Sequence, residues 1–300
     1  MTRQSVVPIG KLSVTKVDGI DVHEYSTRYE GTPDGSVGAG QLIVTLECVA
    51  HPRFSCCKQL QGGLYLKHSS QEERVEIGLY VAYLVDLTVK SSDKPNARNL
   101  FISQLLEHTA DGGCPEIQQV FREIFHSKSG LVREEFNTRI TGLQPIIHLD
   151  TYMLHEKYRA GKSLGALCLQ AIHLLFARLC KTHGTVAVVL TPGLLNSIAH
   201  EYPNTSNITV QTNLKAFYSR QGYTVWRPHG DDSKAVMGST IRTLIDSVAA
   251  KRTAVAAANR SSKAEKSMMA RALAQLASSA SQLPNEWKTA DSNSDRMDTS

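Results

Sequence analysis

The sequence predicts an α/β fold, a mixed sheet flanked by helices, and two observations carry that prediction. The first half of the chain holds strand-like runs, whereas from Pro145 onward apolar β-like stretches alternate with helical periods. Residues 145–181 show the alternation most clearly. An apolar segment runs into a Gly-containing basic turn, and a long amphipathic helix follows at once.

Taken in order, residues 1–40 are polar and rich in glycine and turn formers, with short β-like pieces such as 11–17. They read as an N-terminal extension or a first strand region. Residues 41–49 and 63–67 are predicted strands, and 75–90 is a long apolar run interrupted by Gly78 and Asp86, as one bent strand or a strand pair. Residues 96–108 and 115–125 are predicted helices, the second with Pro115 in its first turn, where a missing N–H removes no bond. The β-branched and aromatic content of 145–154 predicts a buried strand. A helix over 162–181 follows, ended near Gly184, then a strand at 185–190 closed by Thr191-Pro192-Gly193. Residues 194–201 and 211–221 are short predicted helices, and 223–227 is a closing strand. Beyond about Ser233 alanine, serine, lysine and arginine dominate, so 236–258 and 264–283 are predicted helical and the polar end of the chain disordered. The expected division is an N-terminal region (1–40), a main domain (41–230) and an Ala/Ser-rich tail (231–300).

A chain of 300 residues with 41% hydrophobic content can bury a sizeable core. Its net charge of +5 favours anionic ligands slightly and is no nucleic-acid signature. The six cysteines form no Cys-x-x-Cys pair, which predicts reduced thiols and no zinc site. Met1-Thr-Arg-Gln-Ser-Val-Val-Pro8 lacks the apolar run of a secretory leader, and no later run is long enough to span a bilayer. A cytoplasmic or nuclear protein without membrane attachment is therefore expected.

A strand feeding a Gly-containing turn that opens a helix is a ready anion site, because the free first-turn N–H groups and the helix dipole point at it. Gly161-Lys162-Ser163 invites a comparison with the phosphate loop of nucleotide triphosphatases. That loop needs a glycine five residues before the Gly-Lys pair, where this chain has Glu156, a carboxylate that would repel phosphate.

The same segment resembles the pyrophosphate-binding motif of the GNAT superfamily of acyl-CoA-dependent N-acyltransferases. Leu154, Glu156, Tyr158-Arg159 and Gly161-Lys-Ser-Leu-Gly165 fill the motif's places. Glu156 stands where proline is usual, Ala160 is an extra turn residue, and Ser163 replaces the middle glycine. A second segment, Asn213-Leu-Lys-Ala-Phe-Tyr-Ser-Arg-Gln-Gly-Tyr-Thr-Val-Trp226, is similar to the family's C-terminal signature, with Asn213, Ala216, Phe217, Tyr218, Gly222 and Tyr223 in register. One strand and one short helix are expected between the two motifs, which is the family's order.

The resemblance implies a mostly antiparallel mixed sheet splayed at its centre, with acetyl-CoA or another acyl-CoA as co-substrate and no metal. The amides of Gly161, Lys162, Ser163, Leu164 and Gly165 would cradle the coenzyme pyrophosphate, with Lys162 and Arg159 adding positive charge. Backbone around Leu154 would pair with the pantetheine arm. Asn213 would cap its helix or bond the pantetheine, and Tyr218 would protonate the leaving thiolate. Asp150 is the first candidate base, ahead of His148 and Glu156, because it sits mid-strand where an amine should enter. The acceptor is an amine of a small molecule or a protein, and a homodimer is compatible with the chain. Two rivals stand beside this reading. One is a GNAT-like acyl-CoA-binding or interaction protein without catalysis, favoured by the altered turn and opposed by Tyr218. The other is a nucleic-acid-associated protein acting through its basic tail, opposed by the interspersed acids and the lack of aromatic interleaving there.

Overall fold

The computed structural model describes residues 10–32, 37–51, 57–68, 71–86, 115–140, 145–159, 162–180, 186–193, 206–228, 235–250 and 265–271, with isolated helical positions at 102, 106, 253, 257 and 261. Of the sequence predictions, the helix over 194–201 lies outside these residues, as do Ala160 and Gly161 and most of the helix over 96–108.

Among the described residues nine strands form one sheet: β1 (Lys11–Val17), β2 (Ile20–Tyr29), β3 (Gly40–Ala50), β4 (Cys57–His68), β5 (Val75–Val85), β6 (Ile146–Leu154), β7 (Ala187–Leu190), β8 (Thr224–Arg227) and β9 (Val236–Thr240). Their spatial order is β1-β2-β3-β4-β5-β6-β7-β9-β8. Every neighbouring pair is antiparallel except β6 and β7, which run parallel. The helices are α1 (Pro115–Ile124), α2 (Asn137–Ile140), α3 (Glu156–Arg159), α4 (Lys162–Leu179) and α5 (Asn207–Arg220), with a 3₁₀ turn at Glu134–Phe136 and a further helix over 241–250.

The first five strands form a meander. Its opening turn, Asp18-Gly19, takes φ of 49° and 81°, the left-handed pair that matches the twist of a two-residue hairpin. Further along, the β3–β4 ladder passes from Val44↔Leu64 to Glu47↔Gln61. At that gap the Gly63 amide donates to the Thr45 hydroxyl at 3.0 Å, and the Tyr80 hydroxyl donates to the Thr45 carbonyl at 2.7 Å. A methyl group at Gly62 would collide with that carbonyl oxygen, so only glycine fits so close an approach.

Alternation along the strands feeds two cores. One face carries Leu42, Val44, Leu46, Leu60, Leu64, Ile147, Leu149, Val188 and Leu190, covered by α4 through Leu164, Leu167, Cys168, Ile172 and Phe176. Ile241, Leu244 and Val248 complete this core. The other face carries Ile146, Ala187, Val189 and Val236 and packs on α1. Helix α1 supplies Ile117, Val120, Phe121 and Ile124, spaced as one helical stripe. The Arg227 guanidinium donates to the Glu123 carboxylate and ties β8 to the end of α1.

The predicted start of the helical tail is overturned. Residues 236–240, read as the start of a helical tail, form strand β9, wedged between β7 and β8. Its middle residue is Gly238, over which Trp226 lies so closely that any side chain would collide with the indole. The helix begins only at 241, after the Thr240 hydroxyl accepts the Thr243 amide at 3.1 Å as an N-cap. The chain divides after Arg252 into two compact units, 1–252 and 253–300, and residues 265–271 of the second unit are helical.

Candidate functional site

Strand β6 pairs with β5 along its whole length but with β7 at three positions only, Ile146↔Ala187, Ile147↔Val188 and His148↔Val189. Past His148 this pairing ends, and β7 itself ends one residue beyond the partner of His148, at Leu190. Among the described residues, the β7-facing edge of Leu149–Leu154 therefore has no strand partner. On the other edge Ala82 pairs with Leu149 and Val81 with Thr151, so Asp150 is the extra residue of a β-bulge. A bulge bends the strand and re-aims its side chains. Leu149 and Tyr152 pack on the α4 side, while the Thr151 hydroxyl donates to Asp150 Oδ2 at 2.9 Å on the opposite side.

Beyond Leu154 the chain makes the single turn α3, and α4 starts at Lys162. The turn expected between Leu154 and the helix thus contains a helical turn of its own, and α4 starts at the predicted residue 162. Ser163, Leu164 and Gly165 lie in the first turn of α4, whose leading N–H groups have no partner within the helix. Arg159, expected to serve an anion, donates from Nε to the Leu154 carbonyl at 2.6 Å. That carbonyl, expected to be open for pantetheine, is therefore occupied by a side chain.

Three predicted positions converge. A methyl group at Gly165 would lie 3.5 Å from Leu154 Cδ1, 3.6 Å from the Tyr152 hydroxyl and 4.0 Å from Phe217 Cε2. Tyr152 donates its hydroxyl to the Gly165 carbonyl, and its ring stacks on Phe217 at 6.5 Å between centroids. Sequence reasoning passes over Tyr152. Tyr218, 8% exposed, packs edge-to-face against Phe217 at 5.2 Å and Tyr223 at 5.7 Å. The Tyr223 hydroxyl in turn meets His173 Nε2 at 2.8 Å.

Burial pushes the Tyr218 and Tyr152 phenols well above the ordinary tyrosine range. Tyr152 is raised further by Cys168 and Tyr218 beside it. A phenol held protonated this firmly can still donate a hydrogen bond but is a reluctant proton donor. His148 is a poor candidate for the base. It is 2% exposed, and burial pushes its conjugate acid down to about 3, too low to take a proton from an ammonium group. Asp150, half-buried on the face away from the phenols, and Glu156, exposed in the first turn of α3, remain.

Asn213 is an exposed mid-helix residue of α5 and caps nothing. The helix starts four residues earlier than the predicted 211, and its cap is Ser206, whose Oγ accepts the Thr209 amide at 3.2 Å. Among the described residues no His/Cys/Asp/Glu cluster of metal-binding size occurs, and no helix is long and apolar enough to cross a membrane.

No protein-family model, curated protein or solved structure matches this chain.

Proposed function

We propose that this protein is a GNAT-like N-acyltransferase that moves an acetyl or related acyl group from acyl-CoA to an amine of a small molecule or a protein. One observation carries the reading: the pairing of β6 with the parallel strand β7 ends at His148, and the rest of β6 runs through the single turn α3 toward the first turn of α4. A pantetheine arm has alternating amide donors and acceptors and adds to an unpaired strand edge as an extra strand. The diphosphate at its end then meets the first-turn amides of Ser163, Leu164 and Gly165, where the helix dipole favours an anion.

The amine enters from the Asp150 side and attacks the thioester carbonyl. The C–N bond forms as the C–S bond breaks, and the ammonium proton passes to Asp150 directly or through water. Tyr218 donates a hydrogen bond to the sulfur as negative charge builds there, which lowers the barrier without a full transfer from so weak an acid. One observation favours binding without catalysis instead: Arg159 fills the Leu154 carbonyl and shortens the edge left for pantetheine. Titration calorimetry with acetyl-CoA, and ATP as the control, tests the cofactor. Acetyl-CoA should bind and ATP should not, and an absence of heat with acetyl-CoA removes the reading. Release of free thiol in the presence of an amine library then separates enzyme from binder.

A further inference from the structure

Two buried polar atoms flank the point where the β6–β7 pairing ends, and the chemistry above uses neither. His148 is the last β6 residue paired with β7, and its Nδ1 has no hydrogen-bond partner among the described residues. Across from it β7 ends at Leu190, and the next residue, Thr191, has a buried Oγ1 that is equally unpartnered there. Both project to the same side. Ile146, Ala187 and Val189 belong to the core under α1, whereas Ile147, Leu149, Val188 and Leu190 belong to the core under α4, so alternation turns His148 and Thr191 toward α1. Thr191 stands two residues past the partner of His148, roughly 7 Å further along the strands.

Packing alone does not call for these side chains. The other paired positions of β6 and β7 here are isoleucine, valine and alanine, and a buried polar group without a partner costs a fold stability. Their place does suggest an occupant. A ligand anchored by phosphate at the start of α4 and laid along β6 from Leu154 inward carries its far end to the point where the β6–β7 pairing ends. For an acyl-CoA that far end is the acyl group.

We propose that His148 and Thr191 contact the transferred acyl group and select a chain bearing a hydroxyl over an alkyl chain of the same length. This rests on the acyltransferase reading. A neutral imidazole nitrogen and a threonine hydroxyl together match a hydroxyl, which both donates and accepts. An alkyl chain leaves both protein atoms unsatisfied. A chain ending in a carboxylate is disfavoured, because β6 and β7 carry no lysine or arginine and Asp150 lies two residues from His148.

The test is calorimetry on the full chain with coenzyme A, butyryl-CoA and 3-hydroxybutyryl-CoA. The hydroxyacyl ester should bind about ten-fold tighter than butyryl-CoA, the discrimination expected when a buried polar group loses its partner. Thr191→Val, nearly the same shape, should bring that ratio close to one while leaving the affinity for coenzyme A itself unchanged. His148→Gln provides a second variant that keeps a polar group in place of the imidazole and should also reduce the ratio. Equal binding of the two esters by the native chain, or a ratio that neither variant alters, overturns the acyl assignment alone. Failure of coenzyme A itself to bind overturns the acyltransferase reading and this inference with it.

Discussion

Where the β6–β7 pairing ends, His148 stays neutral because burial denies its charged ring the solvation it has in water. The conjugate acid drops to about 3 in the fold, against an ordinary 6.5 in the unfolded chain. Below pH 6.5 the unfolded chain binds a proton that the folded one refuses, so stability is lost as pH falls through this window toward 3. Between pH 7 and pH 5 this single group should cost about 2 kcal/mol. Urea midpoints of the native chain and His148→Gln at both pH values isolate the effect, since the variant should lose less stability over that interval. Identical losses would show that the imidazole is not responsible. Tyr218→Phe tests the other end of the site. Losing the hydrogen bond to the developing thiolate should slow turnover by about a hundred-fold or more, with acetyl-CoA affinity little changed. An unaltered rate removes Tyr218 from the chemistry. Leu154, Gly165 and Phe217 could be singled out because each lies within a local motif, and the fold brings them into contact. Tyr152 and Thr191 could not, since their positions matter only through the register of β6 against β7 and the packing of α4 and α5 on that sheet.

Elements with strong local signals are legible in the sequence, and those defined by their neighbours are not. Strand β6 and helix α4 each have apolar residues at the matching period, so their limits in the sequence reading and in the fold nearly coincide. Strand β2 escapes the sequence reading although Asp18-Gly19 is the strongest short hairpin signal a sequence offers. Strand β9 is harder, because Val236-Met-Gly-Ser-Thr240 has a single β-branched apolar residue and owes its strand form to pairing on both sides. Gly62 makes the dependence on neighbours measurable. Gly62→Ala drives a methyl group into the Thr45 carbonyl and should destabilise the chain by about 2 kcal/mol, in the range of overpacked cores. Gly193→Ala, with nothing within 4 Å of the new methyl group, should fall within about 0.5 kcal/mol of the native chain. Thermal melts of the two variants check the contrast, and equal melting points would mean that β4 shifts to make room.

For the molecule as a whole, the two-unit division at Arg252 and the insertion of β9 give opposite forecasts for two truncations. A chain ending at 230 keeps every strand of the domain that the sequence predicted, yet it lacks β9. Without β9, β7 and β8 have no common neighbour, and the core under α4 also loses Met237, Ile241, Leu244 and Val248. Four apolar side chains of this kind contribute about 1.5–3 kcal/mol each for the larger ones, comparable in sum to the whole stability of an ordinary domain. That chain should fail to fold. A chain ending at 252 retains all nine strands, the helix over 241–250 and both cores, so it should melt cooperatively near the full-length temperature and bind acetyl-CoA as the full chain does. Circular dichroism melts and calorimetry on the two truncated chains decide the matter. A folded 230-residue chain would show that β9 is an accessory of the sheet. An unfolded 252-residue chain would mean that the second unit contributes contacts on which the first depends.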